Sequence, residues 1–405
     1  MYYHLSLSIQ KNATLYSFVL KMLFVCLLIG LQGLSPIYAT HIVSGEISAT
    51  RTGTLTYCFT IILYSDPTSG ADSPDIRINF GDGTTTDVLR IPGDPVSVGP
   101  RLLINRYNIC HTFPQVGCYR VSVIEENRIA NIRNMDNSIN TPFAIDSQVC
   151  FIAEFGQNQT PVLRVPPLDI ACPNQKFFHN PGAFDPDGDS LVFRLVVPKL
   201  DRDRNVDDYT NPQIPRQDNG VEPGGQEDDP NAPAGFTLNS RTGDIEWNSP
   251  KTPGIYNIAI RVEEYRNGIL IGYIVRDMQI RVLEQCNNLR PRINVPDICA
   301  IADEDPATTD NIINVAITAT DPNTAPLDEI LIISQDQQGV TQGVYDANFF
   351  KVVASFTFST SPKQFGSASG QFRWDTRCEH VRREPYFVVF RAQDQPLVPR
   401  GPKLI

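Results

Sequence analysis

Two stretches of this chain repeat one another. Phe236-Thr-Leu leads through Gly243-Asp-Ile-Glu-Trp247-Asn to Pro253-Gly-Ile-Tyr256-Asn-Ile-Ala-Ile-Arg261. Further on, Phe356-Thr-Phe leads through Gly370-Gln-Phe-Arg-Trp374-Asp to Pro385-Tyr386-Phe-Val-Val-Phe-Arg391. The two tryptophans of the chain occupy matching places. An acidic Asp-Pro turn and a strand precede each copy, at Asp185-Pro-Asp-Gly-Asp-Ser-Leu-Val-Phe193 and Asp321-Pro-Asn-Thr-Ala-Pro-Leu-Asp-Glu-Ile-Leu331. A duplicated unit of domain size with strand alternation and turn residues predicts an all-β chain of tandem β-sandwich modules. Arrays of that kind serve as spacers and binding surfaces, which moves the expectation away from catalysis.

The 405 residues suffice for two to four domains, and 41% hydrophobic content is enough to build cores. With 32 prolines and 26 glycines, short strands joined by turns are expected rather than long helices. A net charge of -11 repels phosphate backbones, so nucleic acid is not expected as a partner. It suits cation binding and a solvated extracellular exterior.

Residues 1–39 read as an export signal. Lys21 precedes the apolar run Met22 to Leu31, too short to span a bilayer, and Pro36-Ile-Tyr-Ala39 offers a cleavage point. No later apolar segment is long enough to cross a membrane, so a secreted or outer-surface protein is expected.

Eight cysteines remain beyond Cys26. An even number in an exported chain reads as disulfides, although sequence alone leaves 105 connectivities and some could be buried free thiols. Placement within the modules favours four pairs. Cys110 and Cys118 flank a short turn; Cys172 and Cys286 stand near the first and last strands of the second module; Cys299 and Cys378 do the same in the third; Cys58 and Cys150 remain for the first.

Alternating segments mark a first module over residues 40–160: Ile42 to Ser48, Leu55 to Tyr64, Ile76 to Phe80 and Cys118 to Ile124. Three ordered motifs lie within it, Asn79-Phe-Gly-Asp-Gly83, His111-Thr-Phe113 and Gly117-Cys-Tyr-Arg-Val-Ser-Val123. Together they resemble the PKD domain, an immunoglobulin-like sandwich, without its Trp ahead of Phe80 and with Cys118 at a neutral position. The resemblance implies that Phe80 and Tyr119 are core residues. The second module, 161–286, is similar to bacterial cadherin-like and immunoglobulin-like domains. That likeness rests on Phe184 to Phe193, on Pro233-Ala-Gly-Phe-Thr-Leu238 and on Thr242-Gly-Asp-Ile-Glu-Trp247. Between the motifs, Asp201 to Pro230 reads as a long mobile loop. A third module, 291–405, lacks most of its counterpart's last strand, so it is expected to be incomplete and the chain a fragment or a truncated reading frame.

The combination carries a wider resemblance. His41-Ile-Val-Ser-Gly-Glu46, Asn137-Ser-Ile-Asn-Thr-Pro-Phe143, Phe178 to Asp189 and Cys378-Glu-His-Val-Arg-Arg-Glu-Pro-Tyr386 look like the N-terminal region of gliding-motility-associated bacterial surface proteins. Such proteins are typically exported by the type IX secretion system, and the sorting domain that ends them is missing here.

For chemistry, Asp185-x-Asp187-x-Asp189 stands out. Alternate carboxylates on a turn converge, Gly188 permits the bend, and hard oxygen ligands at this spacing suit Ca²⁺, with Glu263 and Glu264 ending a nearby strand. The same run is also a good turn with no metal. Asp82 is a second cation candidate beside a structural reading in which it bonds turn amides. No G-x-S-x-G, H-E-x-x-H or Gly-Lys-Ser/Thr loop is present, so no enzyme is expected. The expected function is a non-catalytic structural or adhesive surface protein, possible partners being other surface proteins or extracellular polysaccharide. The competing reading is a carbohydrate-binding accessory region of a larger secreted hydrolase. Exposed aromatics in a row would favour the latter, acidic clusters between modules the former.

Overall fold

The computed structural model describes residues 42–395 apart from 69–71, 100–101, 127, 213–234, 287, 298–311, 324–328, 335–343, 347–350, 359–362, 376–387 and 389. The export signal and the Cys299–Cys378 pairing fall outside the described residues. Within them the protein is all-β, with two short 3-10 turns and no α-helix. No helix among them is long and apolar enough to cross a membrane.

The first eight strands are β1 (Ile42–Arg51), β2 (Thr56–Ser65), β3 (Asp75–Asn79) and β4 (Thr85–Leu89), then β5 (Val96–Gly99), β6 (Leu102–Thr112), β7 (Cys118–Glu125) and β8 (Phe143–Cys150). In β2 every second residue is buried, so Tyr57, Phe59, Ile61 and Leu63 face inward. They meet Ile78 of β3, Phe80 just beyond it, and Val121 and Val123 of β7 in one core. Phe80 and Tyr119 are indeed core residues, at 2% and 9% exposure, and the Phe80 ring stacks on His111 at 3.9 Å. Each buried side chain of this size stabilises the fold by roughly 1.5–3 kcal/mol.

The next nine are β9 (Val162–Leu163), β10 (Leu168–Ala171), β11 (Phe177–His179), β12 (Ala183–Phe184) and β13 (Ser190–Val196), then β14 (Gly235–Leu238), β15 (Ile245–Asn248), β16 (Gly254–Arg266) and β17 (Ile269–Val282). Phe236 on β14 lies opposite Trp247 on β15, and Tyr256 closes the cluster with its ring 4.9 Å from Trp247. This is the duplicated hairpin of the sequence. The Tyr256 hydroxyl donates to the Thr252 carbonyl, as Tyr119 does to Gln115, in both cases four residues back at 2.9 Å.

Eight further strands are β18 (Arg292–Asn294), β19 (Ile312–Thr320), β20 (Glu329–Ser334) and β21 (Val344–Asp346), then β22 (Lys351–Phe358), β23 (Lys363–Phe365), β24 (Ser367–Asp375) and β25 (Phe390–Gln395). They form a five-stranded and a three-stranded sheet. Phe356 on β22 lies opposite Phe372 on β24, and Trp374 lies opposite Ala354, so the second copy of the hairpin is paired two residues out of step with the first, where Phe236 lies opposite Trp247.

The two stretches read from the sequence as first and second modules share one sheet, whose main path runs β4-β3-β7-β8-β17-β1-β2-β6-β5. β17 belongs to both. It pairs with β16 and β10 of the second module, with β8 over Gly272 to Ile274, and with β1 at Asp277 opposite Gly45. Ten consecutive β17 residues are buried, as a strand covered on both faces requires. Two ion pairs are sealed there. Arg276 on β17 bonds Glu46 of β1, and Arg128 holds Asp277 through both carboxylate oxygens at 3.0 and 2.7 Å.

Two of the expected disulfide pairings are corrected. Cys58 bonds Cys110, and Cys118 bonds Cys150, rather than Cys110 with Cys118 and Cys58 with Cys150. Sheet register is the cause: Cys58 and Cys110 stand opposite each other on β2 and β6, Cys118 and Cys150 on β7 and β8. The turn between Cys110 and Cys118 carries the chain from one wing of the sheet to the other, so their closeness in sequence does not bring the sulfurs together. Cys172 bonds Cys286 as expected.

The described part of the expected mobile loop is also corrected. Lys199 bonds Asp146 of β8, Arg202 donates to Asn79 at 2.9 Å, and Val206 is 5% exposed. Residues 199–206 are therefore packed onto the first module. Residues 213–230 of that loop lie outside the described set.

Candidate metal centre at the junction of the first two modules

Asp185 follows directly on β12, and the chain turns back into β13 within four residues. Gly188 makes that possible at φ +79°, a conformation costly for residues with a Cβ. Oδ1 of Asp185 accepts the amides of Asp187 at 2.9 Å and Asp189 at 3.0 Å. The metal-free turn chemistry is thus present, and it uses one oxygen of Asp185. The other, Oδ2, is buried with no hydrogen-bond partner.

Pairing of β13 with β16 sets Leu191 opposite Glu264, so Glu264 arrives beside the turn. Glu264 is fully buried, and neither carboxylate oxygen has a hydrogen-bond donor. Gly272 on β17 leaves room for it: a Cβ there would lie 3.1 Å from Glu264 Oε2 and 2.8 Å from the Gln148 carbonyl. Ligand oxygens from Asp185, Asp187, Asp189 and Glu264 all fall within 4.8 Å of one another.

Four carboxylates in one buried corner repel one another. Burial, and then the neighbouring charges of Asp189 and Asp187, push Asp185 up to about 8. Burial, followed by the charges of Asp185 and Asp189, raises Glu264 well above the carboxylate range; Asn158, short of hydrogen-bond geometry, offsets only part of this. Asp187 is also raised, chiefly by burial. One internal cation is present. Arg266 bonds both oxygens of Asp189, at 2.8 and 2.6 Å, and lies 3.6 Å from Asp187. With all four carboxylates ionised the corner carries -4 + 1 = -3, and a divalent ion would bring it to -1. The residues therefore fit such an ion, with Asp185 and Glu264 offering free oxygens and Asp187 and Asp189 sharing theirs with the peptide amide of Gln159 and with Arg266.

The corner is also a joint. Asp187 accepts the Gln159 amide at 2.6 Å. Arg266 donates to the carbonyls of Phe155 and Gln157 and to Asn158 Oδ1. The same linker continues into Thr160, whose amide and hydroxyl both bond Ala49 of β1. Acidic turn, Arg266 and the 155–160 linker thus form one hydrogen-bonded unit between the first two modules.

The sequence-derived ligand set is corrected at one position. Glu263 does not join Asp185, Asp187, Asp189 and Glu264. Adjacent strand residues project to opposite faces, and Glu263 is held on the other side by Arg194 at 2.8 Å, Arg261 at 2.9 Å and the Tyr265 hydroxyl at 3.0 Å. Asp82 follows its structural reading: Oδ1 accepts the Thr84 amide and hydroxyl, and Oδ2 faces His111 Nε2 at 2.7 Å. Arg266 and the linker contacts were not foreseen. The local signal was the Asn267-Gly268 pair, a hairpin turn that fixes Arg266 at the strand end. The linker's part in the site has no local signal.

No protein-family model and no curated protein matches the chain. Among solved structures it is similar to SGBP-B of a Bacteroides ovatus mixed-linkage glucan utilization locus, in complex with a mixed-linkage heptasaccharide. The identity is 9% and the TM-score 0.14, over 84% of this chain and 87% of that one, a likeness too slight to carry an argument.

Proposed function

We propose that this chain is an exported, non-catalytic surface protein of immunoglobulin-like modules, whose first two modules are fastened at their junction by a calcium ion. One observation carries the reading. Glu264 is wholly buried with two unpartnered oxygens, facing Asp185, in a corner tied to the 155–160 linker. An uncompensated buried carboxylate is expensive, and a cation is the partner its neighbours can share. Calcium is the ion chosen because it accepts an irregular cage of several protein carboxylates, whereas magnesium keeps most of its waters. The backward tyrosine hydrogen bonds at Tyr119 and Tyr256 support the immunoglobulin-like assignment, because such corners recur in that architecture. The three disulfides suit an oxidising, extracellular setting. The association with gliding motility and type IX export rests on the sequence resemblance.

An accessory carbohydrate module that grips sugars on a row of aromatic rings is the weaker reading. Among the described residues Phe178 is the exposed aromatic, and the Arg290 guanidinium lies over it at 4.4 Å. Isothermal titration of the chelator-treated mature chain with Ca²⁺ and with Mg²⁺ tests the proposal. A single saturable calcium site that Glu264→Gln weakens at least tenfold is expected. Absence of calcium heat in the wild type, or equal affinity for Mg²⁺, would remove the basis for it.

A further inference from the structure

A groove of about 1200 Å³ opens where residues 130–139 of the first module meet the start of β16 and the end of β17. Its floor is a row across three strands, extended by one isolated bridge. Ile132 bridges Ile255, Ile255 lies opposite Arg281, and Arg281 lies opposite Ile170. Residues opposed on neighbouring strands present to one face, so Arg281 is set among isoleucines. Beside the row, Arg133 rests on Gly254. A Cβ at Gly254 would stand 2.6 Å from Arg133 Cγ and 2.7 Å from Nε, and the backbone there is at φ +146°. The Arg133 amide is fixed as well, donating to the Ile255 carbonyl at 2.7 Å.

These two guanidiniums differ from the arginines around them. Arg106, Arg120, Arg128, Arg194, Arg261, Arg266 and Arg276 each hold a carboxylate. Arg133 and Arg281, both half-buried, hold none among the described residues. In a chain of net charge -11, two unneutralised cations in one groove mark a place for an anion. Asp136 and Glu284 also line it, so a densely charged polyanion would be repelled. A polymer with one carboxylate on each ring, and hydroxyls between, meets both conditions. Its carboxylates suit the guanidiniums, its hydroxyls can donate to Asp136 and Glu284, and its C–H faces can lie on the isoleucine floor. Asn131 and Asn137, exposed on the rim with left-handed backbones, add neutral amides for the remaining oxygens.

We propose that this groove binds an acidic polysaccharide of uronate-containing sugars, with Arg133 and Arg281 each pairing a carboxylate. The inference rests on the reading of the chain as an exported surface protein, but not on the calcium site. It is tested by affinity electrophoresis of the purified mature chain through polygalacturonate, alginate, dextran and polyglutamate, in chelator and in calcium. Retardation by the two uronate polymers and not by dextran is expected, weakening with salt. Arg281→Gln should weaken it at least tenfold with an unchanged melting temperature, and Arg133→Ala should do the same if its melt is also unchanged. Equal retardation of Arg281→Gln and wild type, equal retardation by dextran, or retention by polyglutamate as strong as by uronates would overturn the proposal. Since binding is read on purified protein with and without calcium, loss of the calcium effect alone leaves this test intact.

Discussion

Replacing Arg276 by methionine removes a guanidinium that has no contact with solvent. It bonds Glu46 on the neighbouring strand and the carbonyl of Val165, with Leu163 O at 3.5 Å. The methionine fills much of the space but leaves Glu46, only 5% exposed, without its cation. Burial already raises Glu46, and Arg276 is what opposes that rise, so in the variant Glu46 is driven to take up a proton. Breaking one side of a buried pair costs about 3–5 kcal/mol. Glu46→Leu keeps the guanidinium bonded to backbone carbonyls and should cost less, about 1–3 kcal/mol. The double variant Arg276→Met/Glu46→Leu leaves neither charge unpaired. It should recover at least about 2 kcal/mol of the summed single losses, since buried pairs replaced by apolar groups are often near neutral. Urea unfolding of the four proteins at one pH gives the cycle. A loss under about 1 kcal/mol for Arg276→Met, or strictly additive costs, would refute the view that this pair clamps β1 to β17.

Three other outcomes are expected. Burial pushes Glu125 up to about 7 from an ordinary 4.5, so the folded state holds the extra proton between those values. Its contribution is whole below pH 4.5 and is lost as pH rises through 7, about 1–2 kcal/mol after screening, and Glu125→Gln should flatten that part of the stability–pH curve. Mass mapping without reduction should join Cys58 to Cys110, Cys118 to Cys150 and Cys172 to Cys286, and a peptide linking Cys110 to Cys118 would contradict the register of the first module. Replacing Cys172 and Cys286 with serine should lower stability by about 2–5 kcal/mol, because that bond closes a loop of 114 residues.

Local signals in the sequence carried the strands and the turn. Alternation in Thr56–Ser65 and the Phe236 to Trp247 repeat reported faces directly, and Asp185 to Asp189 announced a tight acidic bend. What pairs with what over long distances was not legible. Cys110 and Cys118 are close in sequence yet lie on β6 and β7, which do not neighbour each other, and only the sheet order reveals this. The sharing of β17 between modules had a clue that went unread. An Arg-Asp pair in the middle of Ile-Leu-Ile-Gly-Tyr-Ile-Val-Arg276-Asp277-Met-Gln-Ile is out of place in a buried strand unless partners arrive from another element. Glu263 and Glu264 could not be told apart by spacing alone, since the face each presents depends on the pairing of β16 and on its bulge after Glu264.

The cation at the junction is tested most directly by thermal melts of the mature chain with excess calcium and with chelator, on wild type and on Glu264→Gln. At about a hundred times the dissociation constant, binding adds roughly 2.7 kcal/mol to wild type, a rise of several degrees. The account predicts that rise in wild type, its loss in Glu264→Gln, and a smaller difference between the two proteins in chelator than in calcium. Superimposable wild-type melts in calcium and chelator, or a shift that persists undiminished in Glu264→Gln, would contradict it.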